Sequence, residues 1–111
     1  MERQPSEQHD ELGRFTEPAV LVLSSLAGGP KHGYAIIQDV GVTAGVKLGP
    51  GTLYGALARL EQQGLVEPLP SEDRRRPYRL TAKGASALQR QLNALERIVE
   101  VGLRRLQGAP A

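Results

Sequence analysis

The stretch Leu48-Gly49-Pro50-Gly51-Thr52-Leu53-Tyr54-Gly55-Ala56-Leu57-Ala58-Arg59-Leu60-Glu61 predicts a short helix with a sharply defined start. Residues 49–51 separate it from any preceding helix, because proline has no amide donor and glycine is conformationally permissive. Thr52 is a candidate N-cap or first-turn residue. Four apolar residues then recur at helical spacing and form one stripe: Leu53, Ala56, Leu57 and Leu60. The opposite face carries small residues and one arginine, so this helix can lie close against another surface: Thr52, Gly55, Arg59 and Gln62.

Two further helices are predicted before this one. The first starts near residues 16–18, where Thr16 can cap and Pro18 is tolerated in the first turn, and residues 28–30 end it. Its apolar residues surround much of its circumference, which predicts burial on more than one side. The second begins at residues 31–34, with an apolar stripe made of Tyr34, Ile37 and Val40, with Ile36 beside it. An extended piece at residues 46–48 leads into the third helix.

A β-hairpin is predicted after the third helix. Gly64 is expected at the C′ position in the left-handed conformation. Residues 65–69 alternate loosely and suit a short strand, and residues 78–80 form the return strand. Pro77 cannot donate to a ladder, so we expect it at an edge or outside the pairing. The turn carries the three consecutive arginines Arg74, Arg75 and Arg76, with Arg79 close behind.

The last predicted helix opens with Thr81 as its N-cap and carries a heptad pattern. Its apolar positions are spaced 3, 4, 3, 4, 3 and 4 residues apart: Ala85, Leu88, Leu92, Leu95, Val99, Gly102 and Leu106. Ile98 and Leu103 widen this stripe, and Glu100 and Arg104 form a favourable i,i+4 pair. Such a helix is roughly 35 Å long at 1.5 Å per residue, which is too long for a small domain to cover.

Two partners are open for this stripe, the protein's own first helix and a second copy of the chain. We expect part of the stripe to pack on each, which gives a homodimer. The residues expected to form the dimer are Leu88, Leu92, Leu95, Val99, Leu103 and Leu106. Gly102 in the stripe leaves either a hole or a place where two backbones approach closely.

Composition limits the classes of protein that this chain can belong to. Its 111 residues allow one domain, and a hydrophobic content of 40% with no Trp and one Phe predicts an aliphatic core. The absence of Cys excludes disulfides and thiolate metal sites. The first residues are polar and the longest apolar run is short, so we expect a cytoplasmic protein that does not enter membranes.

The charge is unevenly placed although the net charge is only +2. The sharpest basic point is the arginine cluster of the predicted hairpin, which suits local contact with phosphates. A solvated loop that happens to be rich in arginine is the alternative, and charge alone does not decide between them.

The order helix, helix, helix, strand, arginine-tipped turn, strand, long helix is that of a winged helix-turn-helix protein. We therefore predict a mainly α fold with a small β-hairpin. The expected organisation is a flexible arm at residues 1–14, a winged helix-turn-helix DNA-binding domain at 15–81, a dimerisation helix at 82–107 and a tail at 108–111. In this arrangement the third helix enters the major groove of double-stranded DNA, and the hairpin, or wing, reaches a neighbouring groove or phosphate.

Three segments also resemble the PadR family of bacterial transcription regulators. They are residues 32–36 (HGYAI), residues 48–65 (LGPGTLYGALARLEQQGL) and residues 75–84 (RRPYRLTAKG). The single helix after the wing is similar to the compact branch of that family. The resemblance implies a dimeric repressor-type regulator in which the last helix forms the dimer.

The resemblance also implies roles for individual residues. Thr52, Tyr54 and Gly55 would contact bases and phosphates at the start of the recognition helix, and the arginines at 74–76 would be wing contacts. A purely structural role for Tyr54 stays open. Arg59 would reach a phosphate or pair with Asp39 instead.

Partners and alternatives follow from these roles. The partners expected are double-stranded DNA and a second copy of the chain. No cofactor is expected, and a small-molecule effector is left open, although none of the four aromatic residues lies in the last helix. The alternative function is a winged-helix module that docks on another protein. An enzyme is not expected, because no nucleophile–base pair, glycine-rich phosphate loop or metal cluster is present. His32 is interpreted as a helix cap rather than a ligand.

Overall fold

A computed structural model of the chain describes residues 17–71 and 74–108. Its elements in chain order are α1 (Pro18–Ala27), β1 (Lys31–His32), α2 (Gly33–Ala44), α3 (Pro50–Gln62), β2 (Val66–Pro68), β3 (Pro77–Leu80) and α4 (Ala82–Gly108). The predicted class is confirmed: the fold is mainly helical, with a small antiparallel sheet and a long C-terminal helix. The arm predicted at residues 1–14, the capping role of Thr16 and the end of the tail lie outside the described residues.

Helix α1 is the centre of the molecule. It packs against α2, α3, α4 and β3, which explains why its apolar residues surround so much of its circumference. Pro18 stands in its first turn as predicted, and Glu17 is the N-cap residue without a side-chain hydrogen bond. The Lys31 ammonium donates hydrogen bonds to the carbonyls of Ser25 and Gly29 at the other end of α1, where a cation also complements the helix dipole.

Helix α2 begins at Gly33, and His32 caps it as predicted. The backbone N–H of Ala35 donates to Nδ1 of His32 over 3.4 Å. The predicted stripe is wrong in one member: Tyr34 is 62% exposed, and the buried face consists of Gly33, Ile36 and Val40. The inward position next to Tyr34 belongs to Gly33, because the ring of Tyr54 from α3 occupies the space in front of it.

Helix α3 has the boundaries that its sequence predicts. Its N-cap is Gly49 and Pro50 is its first residue, so Thr52 lies in the first turn and does not cap. The whole predicted apolar stripe is buried in the core: Leu53, Ala56, Leu57 and Leu60. The helix ends in a Schellman motif, in which the N–H of Leu65 donates to the carbonyl of Leu60 over 2.9 Å. Gly64 has φ +77°, which confirms the predicted left-handed C′ residue.

The sheet has three antiparallel strands in the order β1-β3-β2. Strand β1, which places Lys31 opposite Tyr78 and His32 opposite Pro77, was not predicted. The prediction for Pro77 is wrong, because the third strand makes β3 the central strand and Pro77 its first residue. Its missing donor is tolerated there, since a strand's first residue need not donate, and its carbonyl accepts from the N–H of Leu69 over 2.8 Å. Residues 46–48 join no strand.

The start of α4 is fixed tightly to the wing. The hydroxyl of Thr81 accepts from the N–H of Gly84 over 3.0 Å, which confirms the predicted N-cap, and donates to the carbonyl of Gly64 over 2.7 Å. A Cβ atom on Gly84 would lie 2.0 Å from the carbonyl oxygen of Leu65, so only glycine allows this approach. Lys83 adds a bond from its ammonium to the carbonyl of Gln63 over 2.9 Å.

Within the described ranges, 17–71 and 74–108, no helix is long and apolar enough to cross a bilayer. No group of three or more histidine or carboxylate side chains in them is arranged to hold a metal ion.

Candidate nucleic-acid interface

The outer face of α3 is open to solvent along its length. Thr52, Tyr54 and Arg59 are exposed, and Gly55 between them is half-buried. A Cβ atom on Gly55 would meet only a guanidinium nitrogen of Arg59, at 3.9 Å. Glycine in a helix interior costs about 0.5–1 kcal/mol relative to alanine, and nothing within the described chain requires it here. The small residue at position 55 therefore allows another molecule to approach the outer face of α3 closely.

Tyr54 lies between α3 and the start of α2. Its ring end occupies the space in front of Gly33, yet the residue is still 52% exposed. No residue in the described ranges makes a hydrogen bond with its hydroxyl. Tyr54 thus has a structural role through its ring, and its contact with a phosphate stays a prediction.

The wing has a fixed base and an exposed tip. At the base, Arg79 lies directly opposite Glu67 in the ladder, and its Nε donates to the carboxylate over 2.9 Å. Arg79 is therefore used within the wing. The arginine tip, Arg74–Arg76, is exposed, and neither Arg75 nor Arg76 forms an ion pair with a carboxylate in the part of the chain that the structure describes.

A cleft of about 420 Å³ separates the arginine tip from the first turns of α2 and α3. It is lined by Tyr34 of α2, Tyr54 of α3, Tyr78 of β3 and the arginine tip, and also by His32 and Gly33. Three elements that are distant in sequence thus place guanidinium groups and phenol hydroxyls around one opening. Such a set of donors suits an anion, and a phosphate group above all.

Tyr78 is the least exposed of the three tyrosines that line the cleft. Burial raises its pKa first, and the nearby Glu61 carboxylate raises it further, while the Arg76 guanidinium opposes them. Tyr54 also lies close enough to contribute to the shift. A phenol is protonated in the neutral range even at its ordinary pKa, and the upward shift only extends that range, so Tyr78 can donate a hydrogen bond in the cleft.

The structure brings some of the sequence-predicted residues together and separates others. Tyr54 and the arginine tip share the cleft, whereas Thr52, Gly55 and Arg59 lie on the face of α3 beside it. Within the described residues, Arg59 and Asp39 form no ion pair, so the alternative pairing of Arg59 is wrong. His32, Tyr34 and Tyr78 were not predicted as lining residues. Their signal in the sequence was the HGY segment followed by an aromatic residue beside the arginine run.

A second exposed surface lies on α4. Leu88 is buried and Leu95 is half-buried, but the rest of the predicted dimer residues are exposed: Leu92, Val99, Leu103 and Leu106. A Cβ atom on Gly102 would meet nothing within 4 Å. The predicted pair of Glu100 and Arg104 is present, with 4.0 Å between Oε1 and Nη1.

Comparison with known proteins places this architecture in one family. Residues 22–90 match the model of the transcriptional regulator PadR-like family. The transcriptional regulator Rv3488 of Mycobacterium tuberculosis is 39% identical over 83 residues, which cover 69% of this chain and 74% of that protein. A 37.1 kDa protein in transposon TN4556 of Streptomyces fradiae is 47% identical over 85 residues, or 77% of this chain. The chain spans 25% of the length of that transposon protein.

The solved structures agree with the sequence comparison. A PadR family transcriptional regulator from Eggerthella lenta superposes with a TM-score of 0.72 at 31% identity, over 95% of this chain and 93% of that one. Regulators of this family bind DNA and are not enzymes. The match runs from the middle of α1 through α2, α3 and the wing to the first turns of α4, and it contains all three segments that carry the resemblance in the sequence. The chain belongs to the PadR-like family of transcriptional regulators.

Proposed function

We propose that this regulator is a cytoplasmic repressor that binds a two-fold-symmetric DNA operator as a homodimer. The observation that carries the proposal is the cleft in which the arginine tip of the wing faces Tyr54 at the start of α3. A winged helix uses these same two elements, the third helix and the wing, to contact DNA. The repressor role rests on the resemblance of the sequence to the family.

In this proposal α3 enters the major groove. Thr52, Tyr54 and Arg59 supply the polar groups of its exposed face, and Gly55 lets the helix approach the DNA closely. The arginine tip binds phosphates of the neighbouring backbone. Because this face offers few groups that read base edges, specificity depends on the spacing of the two half-sites and on DNA shape as well.

The dimer in this proposal is built by α4. The exposed leucines and valine of its second half lie on the same stripe as the buried Leu88, and a coiled-coil contact with a second copy would cover them. In the same proposal residues 15–81 form the DNA-binding domain, and residues 82–107 form the dimerisation helix. A dimer of this kind binds half-sites about one helical turn, roughly 10 bp, apart.

The wing contacts can be tested by removing their charge. Fluorescence anisotropy would measure binding to a duplex selected from a random DNA pool, as a function of salt. For the variant Arg74→Ala/Arg75→Ala/Arg76→Ala we expect weaker binding to every sequence. The slope of log K against log salt should become shallower by about 2.7 for each bound protomer, since each lost phosphate contact removes about 0.9.

The matched control removes the same charge from another face. Arg90, Arg97 and Arg104 are exposed on α4 and point away from the apolar stripe at 100° per residue. Their triple alanine variant should keep the wild-type salt slope. A wing variant that binds as tightly as wild type at low salt contradicts the wing contacts. A wild-type protein that binds neither selected nor random DNA at about 50 mM salt contradicts the proposed function and favours the protein-docking module.

A further inference from the structure

Gly33 is the buried first residue of α2, and a side chain at this position would clash with Tyr54. A Cβ atom on Gly33 would lie 2.3 Å from the hydroxyl oxygen of Tyr54 and 2.7 Å from its Cζ, and 3.2 Å from Cδ2 of Leu53. The first two distances are shorter than real Cβ contacts allow. Gly33 is not among the glycines with positive φ in the described chain. The requirement is therefore steric, and an alanine backbone fits the position.

The atoms that would clash with a side chain at position 33 are at the free end of the Tyr54 side chain. Because Tyr54 is half-exposed, its ring can rotate toward solvent without moving the backbone. The main consequence of a methyl group at position 33 is therefore a displaced phenol, while Cδ2 of the buried Leu53, at 3.2 Å, needs only a small shift.

The position that the phenol would lose is the one inside the cleft. The side chain that bears the Tyr54 hydroxyl lines the same cleft as the arginine tip, and Tyr54 and Arg76 both lie within electrostatic range of Tyr78. That hydroxyl has no partner among the described residues. An unpaired phenol next to guanidinium groups is placed to donate to an oxyanion that the arginines attract.

We propose that Gly33 is a positioning residue for DNA contact, which holds the Tyr54 hydroxyl where it donates to the same backbone phosphate region that the arginine tip binds. This inference rests on the proposed function and adds a residue that itself does not touch DNA. Loss of a hydrogen bond to a charged group weakens binding about tenfold for each bound protomer. Gly33→Ala should show that loss with a melting temperature close to that of wild type.

The salt dependence separates this role from a disturbed wing. A neutral hydroxyl releases no counterions, so Gly33→Ala should lower affinity and leave the salt slope unchanged. Arg76→Ala should make the slope of log K against log salt shallower by about 0.9 for each protomer. If Gly33→Ala also makes the slope shallower, the substitution has moved the wing, and the proposed role is wrong.

A double-mutant cycle tests the connection between the two residues directly. Tyr54→Phe keeps the ring but removes the hydroxyl, and with it the shortest clash of 2.3 Å, so a methyl group at position 33 has no hydroxyl left to displace in that background. We expect Gly33→Ala to weaken DNA binding about tenfold per protomer in the wild-type background and to add little in the Tyr54→Phe background. Gly41→Ala is the matched control, because Gly41 lies in the same helix with nothing within 4 Å of its Cβ position. It should bind DNA like wild type.

Each other outcome overturns the inference. Additive losses in the cycle mean that Gly33 does not act through the hydroxyl. Tyr54→Phe with undiminished affinity removes the contact itself, and a Gly33→Ala protein that does not fold shows that Tyr54 cannot rotate away. The proposed function fails separately, when the wild-type protein itself does not bind DNA.

Discussion

The two halves of α4 carry one apolar stripe but have different surroundings. In the first half, Gly84 lies against the backbone of Leu65, and Leu88 is only 5% exposed. In the second half, Leu103 is 52% exposed and Leu106 is 81% exposed. The rest of the described chain buries the stripe at Leu88, in the first turns of α4 after the wing, and leaves Leu103 and Leu106 exposed. The same sequence pattern therefore anchors the helix at its start and leaves an exposed apolar face further on, which the proposed dimer would cover.

The largest effect is expected where the first half is tightest. In Gly84→Ala a methyl group would stand 2.0 Å from the Leu65 carbonyl oxygen and 2.9 Å from Cδ1 of Leu80. The backbone cannot rotate away as a side chain does, so β2 and α4 must separate. We expect a loss of at least about 3 kcal/mol in the free energy of unfolding, measured by chemical denaturation. A stable Gly84→Ala protein would show that this junction is loosely packed.

The next effect compares two leucines of the same stripe. Leu88→Ala should cost about 2–3 kcal/mol, because it leaves a cavity in the core that α1 and α4 share. Leu106→Ala should cost little in the monomer and lose stability only at chain concentrations where a dimer forms. Thermal unfolding over a range of concentrations measures both. Equal losses at high dilution would contradict the division of α4 into two halves.

A charged substitution in the second half of α4 tests whether a second copy of the chain covers its apolar face. Leu103→Glu places a carboxylate on the face that a second copy would cover, while the domain around Leu88 is untouched. We expect dimer dissociation to rise at least tenfold, about 1.4 kcal/mol, with circular dichroism unchanged at low concentration. The measurement is sedimentation equilibrium, and Arg97→Glu on the opposite side of α4 is the control. Unchanged association in Leu103→Glu would place the dimer elsewhere.

The smallest effect concerns the glycine of the second half. Gly102→Ala should raise helix stability by about 0.5–1 kcal/mol, since its Cβ would meet nothing within 4 Å in the chain. Melting at high dilution measures this gain. If the same variant then dimerises less well than wild type, the two backbones approach closely at Gly102. A loss of stability at high dilution would contradict the open surroundings of this half.

Local signals in the sequence predicted the elements that depend on neighbouring residues. The apolar stripe of α3, the left-handed Gly64 and the cap at Thr81 are each determined within a few positions, and all three are confirmed. Features that depend on contacts between distant segments were missed. A strand as short as β1 exists only because β3 pairs with it, and that pairing makes Pro77 part of a central strand.

In the candidate site, too, features within one segment were predicted and contacts between distant segments were not. Arg74–Arg76 and Tyr54 were found from an unusual charge run and from a motif, which are visible in one segment. The cleft that joins them was not, because it is formed by α2, α3 and the wing together. Tyr34 was assigned to the core, since its spacing from Ile37 and Val40 fits a stripe. The spacing could not show that the ring of Tyr54 fills the inward position beside it.

The most direct test of the account is the composition of the complex with DNA. Sedimentation equilibrium would give the mass of the protein bound to a duplex of about 25 bp, long enough for two half-sites one helical turn apart and selected from a random pool. We expect two chains on each duplex, and we expect the Leu103→Glu variant to form no such complex at the same chain concentration. One chain on each duplex, or no complex at about 50 mM salt, would contradict it.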